Sequence, residues 1–245
     1  MTTTKPRVIG YIPLLYGKEY LKECILSMLP FVDKLYIFYV NKPSQGHTTD
    51  IPCPENGMEL CDLATSISKK VIWIGNCTCT TEGEHRELIM QYSNGYDLVL
   101  TLDADEVIDG RDVEQALDTA YKGYQRYWGI DGFINFWRSF DNVCLDGFRP
   151  IRIINLNNTN TDPATVKCRI YHFSCAQSEV ISRYKWNVSG HKDELRTNWI
   201  DNTLYGDSGT DLHPVAIGLW NAQPFDKTIL PELLKQHPNY SKPLI

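Results

Sequence analysis

Asp103 and Asp105 stand two positions apart in Asp97-Leu98-Val99-Leu100-Thr101-Leu102-Asp103-Ala104-Asp105-Glu106-Val107, directly after an apolar run. Such a run, with its β-branched residue, is the pattern of a buried strand. Open α/β sheets bind their ligands at the carboxyl ends of strands, where these acids fall. In extended backbone, residues i and i+2 share a face, and a bend at Ala104 would bring the two carboxylates together. Paired carboxylates are hard oxygen ligands suited to Mg²⁺ or Mn²⁺, and those ions suit phosphate groups. The plain alternative is a surface turn, where aspartates are common. The apolar strand immediately before the pair favours the ligand site. Glu106 reads either as support for the pair or as a charge at a helix N-terminus.

The elements that must position this pair alternate. Arg7–Leu15 reads as a first strand. Leu21, Cys24, Ile25, Met28 and Leu29 then recur at helical spacing, and Pro30 closes that helix. Lys34–Val40 is a second strand, followed by a Pro/Gly/Thr-rich loop around residues 41–60. Val71–Gly75 is a third strand, and Leu88, Ile89 and Tyr92 mark a short helix. The fourth strand runs from Asp97 to Asp103. Val113, Ala116, Leu117, Ala120 and Tyr121 mark the next helix. Strand–helix alternation implies βαβ units and a mostly parallel sheet. After residue 130 the rhythm changes. Gly132–Trp137, Pro150–Leu156 and residues 168–173 read as strands with no helix between the first two, which points to antiparallel additions. A short apolar helix is expected near Ile229–Leu234. The fold class is therefore α/β, in one domain of 1–245, with a ligand-binding half (1–110) and a second half (111–245).

Composition narrows the function. With 245 residues the chain can bury a sizeable core. A formal net charge of −6 does not indicate a broad nucleic-acid or anionic-membrane surface. No apolar run reaches transmembrane length. The start, Met1-Thr2-Thr3-Thr4-Lys5-Pro6, has no apolar leader core, and the eight cysteines are then expected reduced, in a cytoplasmic setting. Cys53, Cys61, Cys77 and Cys79 lack the paired C-x₂-C spacing of structural zinc sites, so buried thiols are the simpler reading.

The chain resembles the GT-A glycosyltransferases, in particular the family 2-like group, over Arg7 to about His191. The resemblance is carried by Val8-Ile9-Gly10-Tyr11-Ile12-Pro13, Ser27-Met28-Leu29, Lys34-Leu35-Tyr36-Ile37-Phe38, Glu84-His85-Arg86-Glu87 and, above all, Leu102-Asp103-Ala104-Asp105-Glu106-Val107. The last is similar to the DxD motif of such enzymes, which holds a divalent metal on the diphosphate of a nucleotide sugar. The resemblance implies a GT-A sheet and transfer of a sugar to an acceptor hydroxyl. It implies Mn²⁺ or Mg²⁺ as cofactor, held first by Asp105, with Asp103 either on the metal or instead on the ribose or a metal-bound water, and a late histidine, His172 or its competitor His191, as a third ligand. Tyr11, Pro13, Arg86, Asp103 and Lys185 are its donor-binding candidates, with Arg86 and Lys185 facing the phosphates. Asp146, then Asp141, are candidates for a general base, and Trp137, Phe140 and Trp186 are candidate stacking platforms. The acceptor is open: a glycan, a lipid-linked sugar, a protein or a modified phage DNA base. The chain departs from the family after its second strand, where the acid comes late, at Asp50. It also has single aspartates where the family carries a Glu-Asp pair.

A rival reading comes from another class. Asp103-Ala104-Asp105-Glu106-Val107 also fits the D-x-D-x-[TV] signature of haloacid dehalogenase-like phosphatases, with Asp103 as nucleophile and Asp105 as acid. Gly206-Asp207-Ser208-Gly209-Thr210-Asp211 resembles their late metal motif. That signature follows a first strand, whereas three strands precede it here. A nucleotidyltransferase on a similar sheet and a non-catalytic sugar-binding module are smaller alternatives. The second would leave clustered carboxylates unneutralised, which is costly.

Overall fold

The computed structural model describes residues 5–43, 52–189, 192–206, 212–216 and 220–242. The N-terminal half runs β1 (Val8–Leu14), α1 (Lys18–Met28), β2 (Lys34–Val40), α2 (Gly57–Ile67), β3 (Val71–Cys77) and α3 (Glu82–Glu87). A 3₁₀ turn (Leu88–Tyr92), β4 (Leu98–Thr101), β5 (Glu106–Ile108) and α4 (Gly110–Lys122) follow. The remainder contributes β6 (Tyr127–Trp137), β7 (Asn142–Cys144), β8 (Ile151–Asn155), β9 (Ala164–Cys175), α5 (Glu179–Val188), β10 (Ala222–Pro224) and α6 (Glu232–Lys235).

The ten strands form one mixed sheet, so both halves of the chain share it. β1 pairs in parallel with β2 on one side and β4 on the other, and β2 carries β3. The order β3-β2-β1-β4 reverses direction between β1 and β4. That reversal is a topological switch point, and it opens a crevice at the carboxyl ends of those two strands. The apolar runs of β1 and β4 are continuous because both faces are covered. Val8, Ile12, Leu98 and Leu100 face the main core with Leu21, Cys24, Ile25 and Met28 of α1 and with Val113, Ala116 and Leu117 of α4. Ile9, Tyr11 and Val99 point the other way and meet Phe38 and Ile89.

Several elements differ from the sequence expectation. The 41–60 loop contains the start of α2, whose N-cap Asn56 accepts from Met58 N at 2.8 Å and whose Leu60 and Ala64 are buried one turn apart. Local Pro and Gly content hid that helix. The short helix at 88–92 is a 3₁₀ continuation of α3, which begins at Glu82 where Thr81 caps Glu84 N at 3.1 Å. β5, β7, α5 and β10 were not expected. The antiparallel additions hold for β8, which pairs with β4 and β6. β9 pairs antiparallel with β5 on one side and parallel with β6 on the other. No helix among the described residues is long and apolar enough to cross a membrane.

Asp109 ties α4 to the sheet. Its carboxylate caps the helix at Arg111 N (3.1 Å), binds the Arg111 guanidinium (2.8 Å) and accepts from the Tyr171 hydroxyl (3.0 Å). Burial opposes its ionisation, but the bonds from Arg111 and Tyr171 outweigh it and hold the carboxyl below its ordinary range. A depressed carboxyl stabilises the fold fully above the unfolded value of about 3.9, and that stability is lost as pH falls through the folded value. Asp109→Asn keeps a good cap but removes the charge. Its deficit in urea stability should be widest near pH 7 and should close as pH falls below about 4. A gap that does not change with pH would contradict this role.

Candidate functional site

The acidic pair lies in the β1/β4 crevice. After β4, Glu106 N donates to the Asp103 carbonyl at 3.0 Å, and Glu106 Oε2 accepts from Asp103 N at 3.1 Å. The segment is therefore a closed turn between β4 and β5. Gly17, with φ of +132°, begins α1 directly behind it. A Cβ at Gly17 would lie 2.6 Å from that of Ala104, so glycine is what lets α1 approach the turn.

The turn faces a cleft of about 240 Å³ lined by Pro13, Tyr16, Glu82, Arg86, Asp103, Asp105, His172 and Lys185, among others. Four of the five residues expected on the donor side, Pro13, Arg86, Asp103 and Lys185, line this one cleft, as do Asp105 and His172.

Each carboxylate has its own cation. Asp103 accepts from Arg86 at 3.0 Å and from Arg152 at 2.8 Å. Glu106, fully buried, holds Arg152 through both its oxygens, at 2.7 Å from Nε and also from Nη2. Asp105 accepts from Lys185 Nζ at 2.5 Å and from the Gln177 amide at 3.0 Å. Three cations thus meet three carboxylates, with Glu82 on the rim adding a further bond to Arg86 at 2.8 Å. Burial pushes all three carboxyls up. For Asp103 the pull of Arg152 and Arg86 wins and its carboxyl is held well below the usual range. For Asp105 the pull of Lys185 wins likewise. For Glu106 burial wins and raises it, against the pull of the Arg152 guanidinium bonded to it.

His172 sits beside Asp105, with Nε2 3.7 Å from its Oδ2. Burial pushes the imidazole down to about 4, so it is neutral at pH 7. Its Nδ1 meets Asn135 Oδ1 at 2.6 Å. The neighbours follow from register: Asn135 on β6 and Glu106 on β5 flank His172 on β9.

The three-ligand set Asp103, Asp105 and His172 is not assembled. Among the described residues, no group of three or more His, Cys, Asp or Glu side chains is placed to hold a metal ion. Asp103 is turned to its two arginines, which leaves Asp105 and His172 as a pair. Asp105 supplies one carboxylate, and Mg²⁺-type ions are bound through one or two carboxylates and completed by substrate phosphates, with the His172 imidazole as a softer second ligand beside it. Cys53, Cys61, Cys77 and Cys79 form no such group either.

Other expectations move. Tyr11 is not in the cleft. It lies on the opposite side of β1 beneath α3, its hydroxyl bonded to the His85 carbonyl, and it faces a separate, mostly apolar cavity of about 560 Å³. Asp141 is exposed and paired with Lys227 at 2.7 Å, away from the cleft. Asp146 is half-buried, bonded to Trp220 Nε1 at 2.8 Å and to Asn135 Nδ2 at 3.5 Å. Trp137, Phe140 and Trp186 are core residues. His191, Asp50, Asp207 and Asp211 lie outside the described residues. Sequence reasoning missed Arg152, Gln177 and Asn135.

Scanned against protein-family models the chain matches none, and no curated protein is significantly similar to it.

Arg152 and Glu106 form a pair that is 7% and 0% exposed. Breaking a buried pair by removing one partner costs about 3–5 kcal/mol. Arg152→Met should lower unfolding stability in urea by that order, and adding Glu106→Gln should recover part of it. A loss under about 1 kcal/mol from Arg152→Met would show that the pair does not hold the turn.

Proposed function

We propose that this chain is a GT-A-type glycosyltransferase that moves a sugar from a nucleoside diphosphate sugar to an acceptor hydroxyl and depends on a divalent cation. One observation carries the reading. The acidic pair stands at the β1/β4 switch point, in a cleft where Arg86, Lys185 and a neutral His172 converge. Crevices at such points are where open α/β sheets take nucleotides.

In the proposed reaction the acceptor oxygen bonds to the anomeric carbon, the bond from that carbon to the diphosphate breaks, and the acceptor proton is released. Negative charge grows on the leaving phosphate. Asp105 and His172 would hold Mn²⁺ or Mg²⁺, which supplies Lewis-acid neutralisation of that charge. Lys185 and Arg86 add fixed positive charge at the same wall, positioned before the reaction begins. Arg152 keeps Asp103 ionised and holds it in place on the cleft wall. Pro13 and Tyr16 line the crevice beside β1, where they bound the volume left to the donor.

The phosphatase reading needs Asp103 free to attack phosphorus. Two guanidiniums occupy both its oxygens, and β1, β2 and β3 precede it. The acid pair therefore supports binding and charge neutralisation better than nucleophilic attack.

Uridine and guanosine diphosphates, tried in turn, should raise the melting temperature when Mn²⁺ is present and much less in excess EDTA. A ligand stabilises only the state it binds, and the diphosphate needs the cation to bind against the carboxylates. Asp105→Asn should remove the Mn²⁺-dependent part of the shift and lower sugar transfer by on the order of 10² or more. An equal shift with and without the metal would contradict the cation's place in this reading.

A further inference from the structure

Asn135 is a polar side chain, 4% exposed, inside the apolar run Phe133-Ile134-Asn135-Phe136-Trp137. It touches two groups, His172 on one side and Asp146 on the other. An amide has one face that accepts and one that donates. The partners determine which face goes where. Asp146 accepts from Trp220 Nε1 at 2.8 Å and from Phe148 N at 2.8 Å, and an ionised carboxylate has nothing to donate. The amide NH₂ must therefore face Asp146, which leaves Oδ1 facing His172. An oxygen acceptor at 2.6 Å requires a proton on His172 Nδ1. A neutral imidazole with its proton on Nδ1 has a bare lone pair on Nε2, the nitrogen that stands 3.7 Å from Asp105 Oδ2.

We propose that Asn135 is a positioning residue. Oriented by Asp146 and Trp220, it holds His172 in its Nδ1–H tautomer so that the Nε2 lone pair is presented beside Asp105 to a divalent cation. The cation's part rests on the functional reading above, whereas the tautomer does not. Asp146, expected from the sequence as a general base, instead orients and polarises Asn135. Asp105 Oδ2 accepts from Lys185 and Gln177, and a divalent cation shared between that oxygen and the Nε2 lone pair would take the place of the Lys185 ammonium there. Second-sphere bonds of this kind fix ligand orientation, and their loss typically weakens metal affinity 10–100-fold.

The test uses the full chain labelled with ¹⁵N-histidine. Long-range ¹H–¹⁵N spectra at pH 7 distinguish a protonated from a bare ring nitrogen, and the resonances of His172 are those missing in His172→Gln. The expected spectrum shows Nδ1 protonated and Nε2 bare. Asn135→Leu should lose that single tautomer and bind Mn²⁺, read by electron paramagnetic resonance, at least about tenfold more weakly. Melting curves of Asn135→Leu and the wild type, read beside the spectra, separate a lost tautomer from lost packing: the loss of the single tautomer should appear at temperatures where both proteins are fully folded. A wild-type spectrum with the proton on Nε2, or on both nitrogens, overturns the proposal, as does an Asn135→Leu protein with tautomer and affinity unchanged. The expected tautomer in a protein that takes no Mn²⁺, even with uridine or guanosine diphosphate present, overturns the cation role and the functional reading while leaving the hydrogen-bond assignment intact.

Discussion

Glu106 is fully buried at the carboxyl end of the sheet, and a buried carboxylate persists only where a cation meets it. Arg152 is that cation. It reaches across from β8, itself buried, and grips both Glu106 and Asp103. Glu106 in turn accepts the backbone N–H of Asp103. One guanidinium thus fixes the turn that carries the acidic pair. Buried ion pairs of this sort are weak sources of stability and good sources of geometry, since an alternative packing would strand a charge. Around the turn Arg86, Arg152 and Lys185 meet Asp103, Glu106 and Asp105, and Glu82 adds a further bond to Arg86, so the charges at this cleft already have partners.

The second arm of the cleft is built differently. Asp105 meets an ammonium in Lys185, a neutral amide in Gln177 and a neutral imidazole in His172. Lys185 is held protonated: burial opposes its charge, and Asp105 overcomes it. An ammonium on that oxygen is a local counter-charge, one that a metal bound there would have to displace.

Much of the N-terminal half was legible because its strands are buried on both faces and read as continuous apolar runs. Helix α1 was legible because Leu21, Cys24, Ile25 and Met28 recur at one-turn spacing. Helices α2 and α5 were not, the first because Pro and Gly dominate its approach and the second because its apolar positions are diluted by Arg183, Lys185 and Asn187. Of the residues lining the cleft, the acidic pair was legible from type and spacing, and Arg86, Lys185 and His172 were named through the family resemblance. Tyr11 was misplaced because period-2 alternation points it to the far side of β1. Arg152 and Asn135 were missed although each left a signal: a lone arginine in Ile151-Arg152-Ile153-Ile154 and a lone asparagine in an equally apolar strand. Such residues are rarely buried without a partner, and their partners here lie far away in sequence, where no local pattern reaches.

The central claim is that the β1/β4 crevice seats a diphosphate through a cation on Asp105 and His172. Anomalous scattering from crystals grown with Mn²⁺ and a nucleoside diphosphate, recorded at the manganese edge, tests it most directly. The account predicts one strong peak between Asp105 Oδ2 and His172 Nε2, with the diphosphate completing its coordination and Lys185 displaced toward the phosphate. A bound nucleotide with no manganese at that position, or a nucleotide seated away from the crevice, would contradict it.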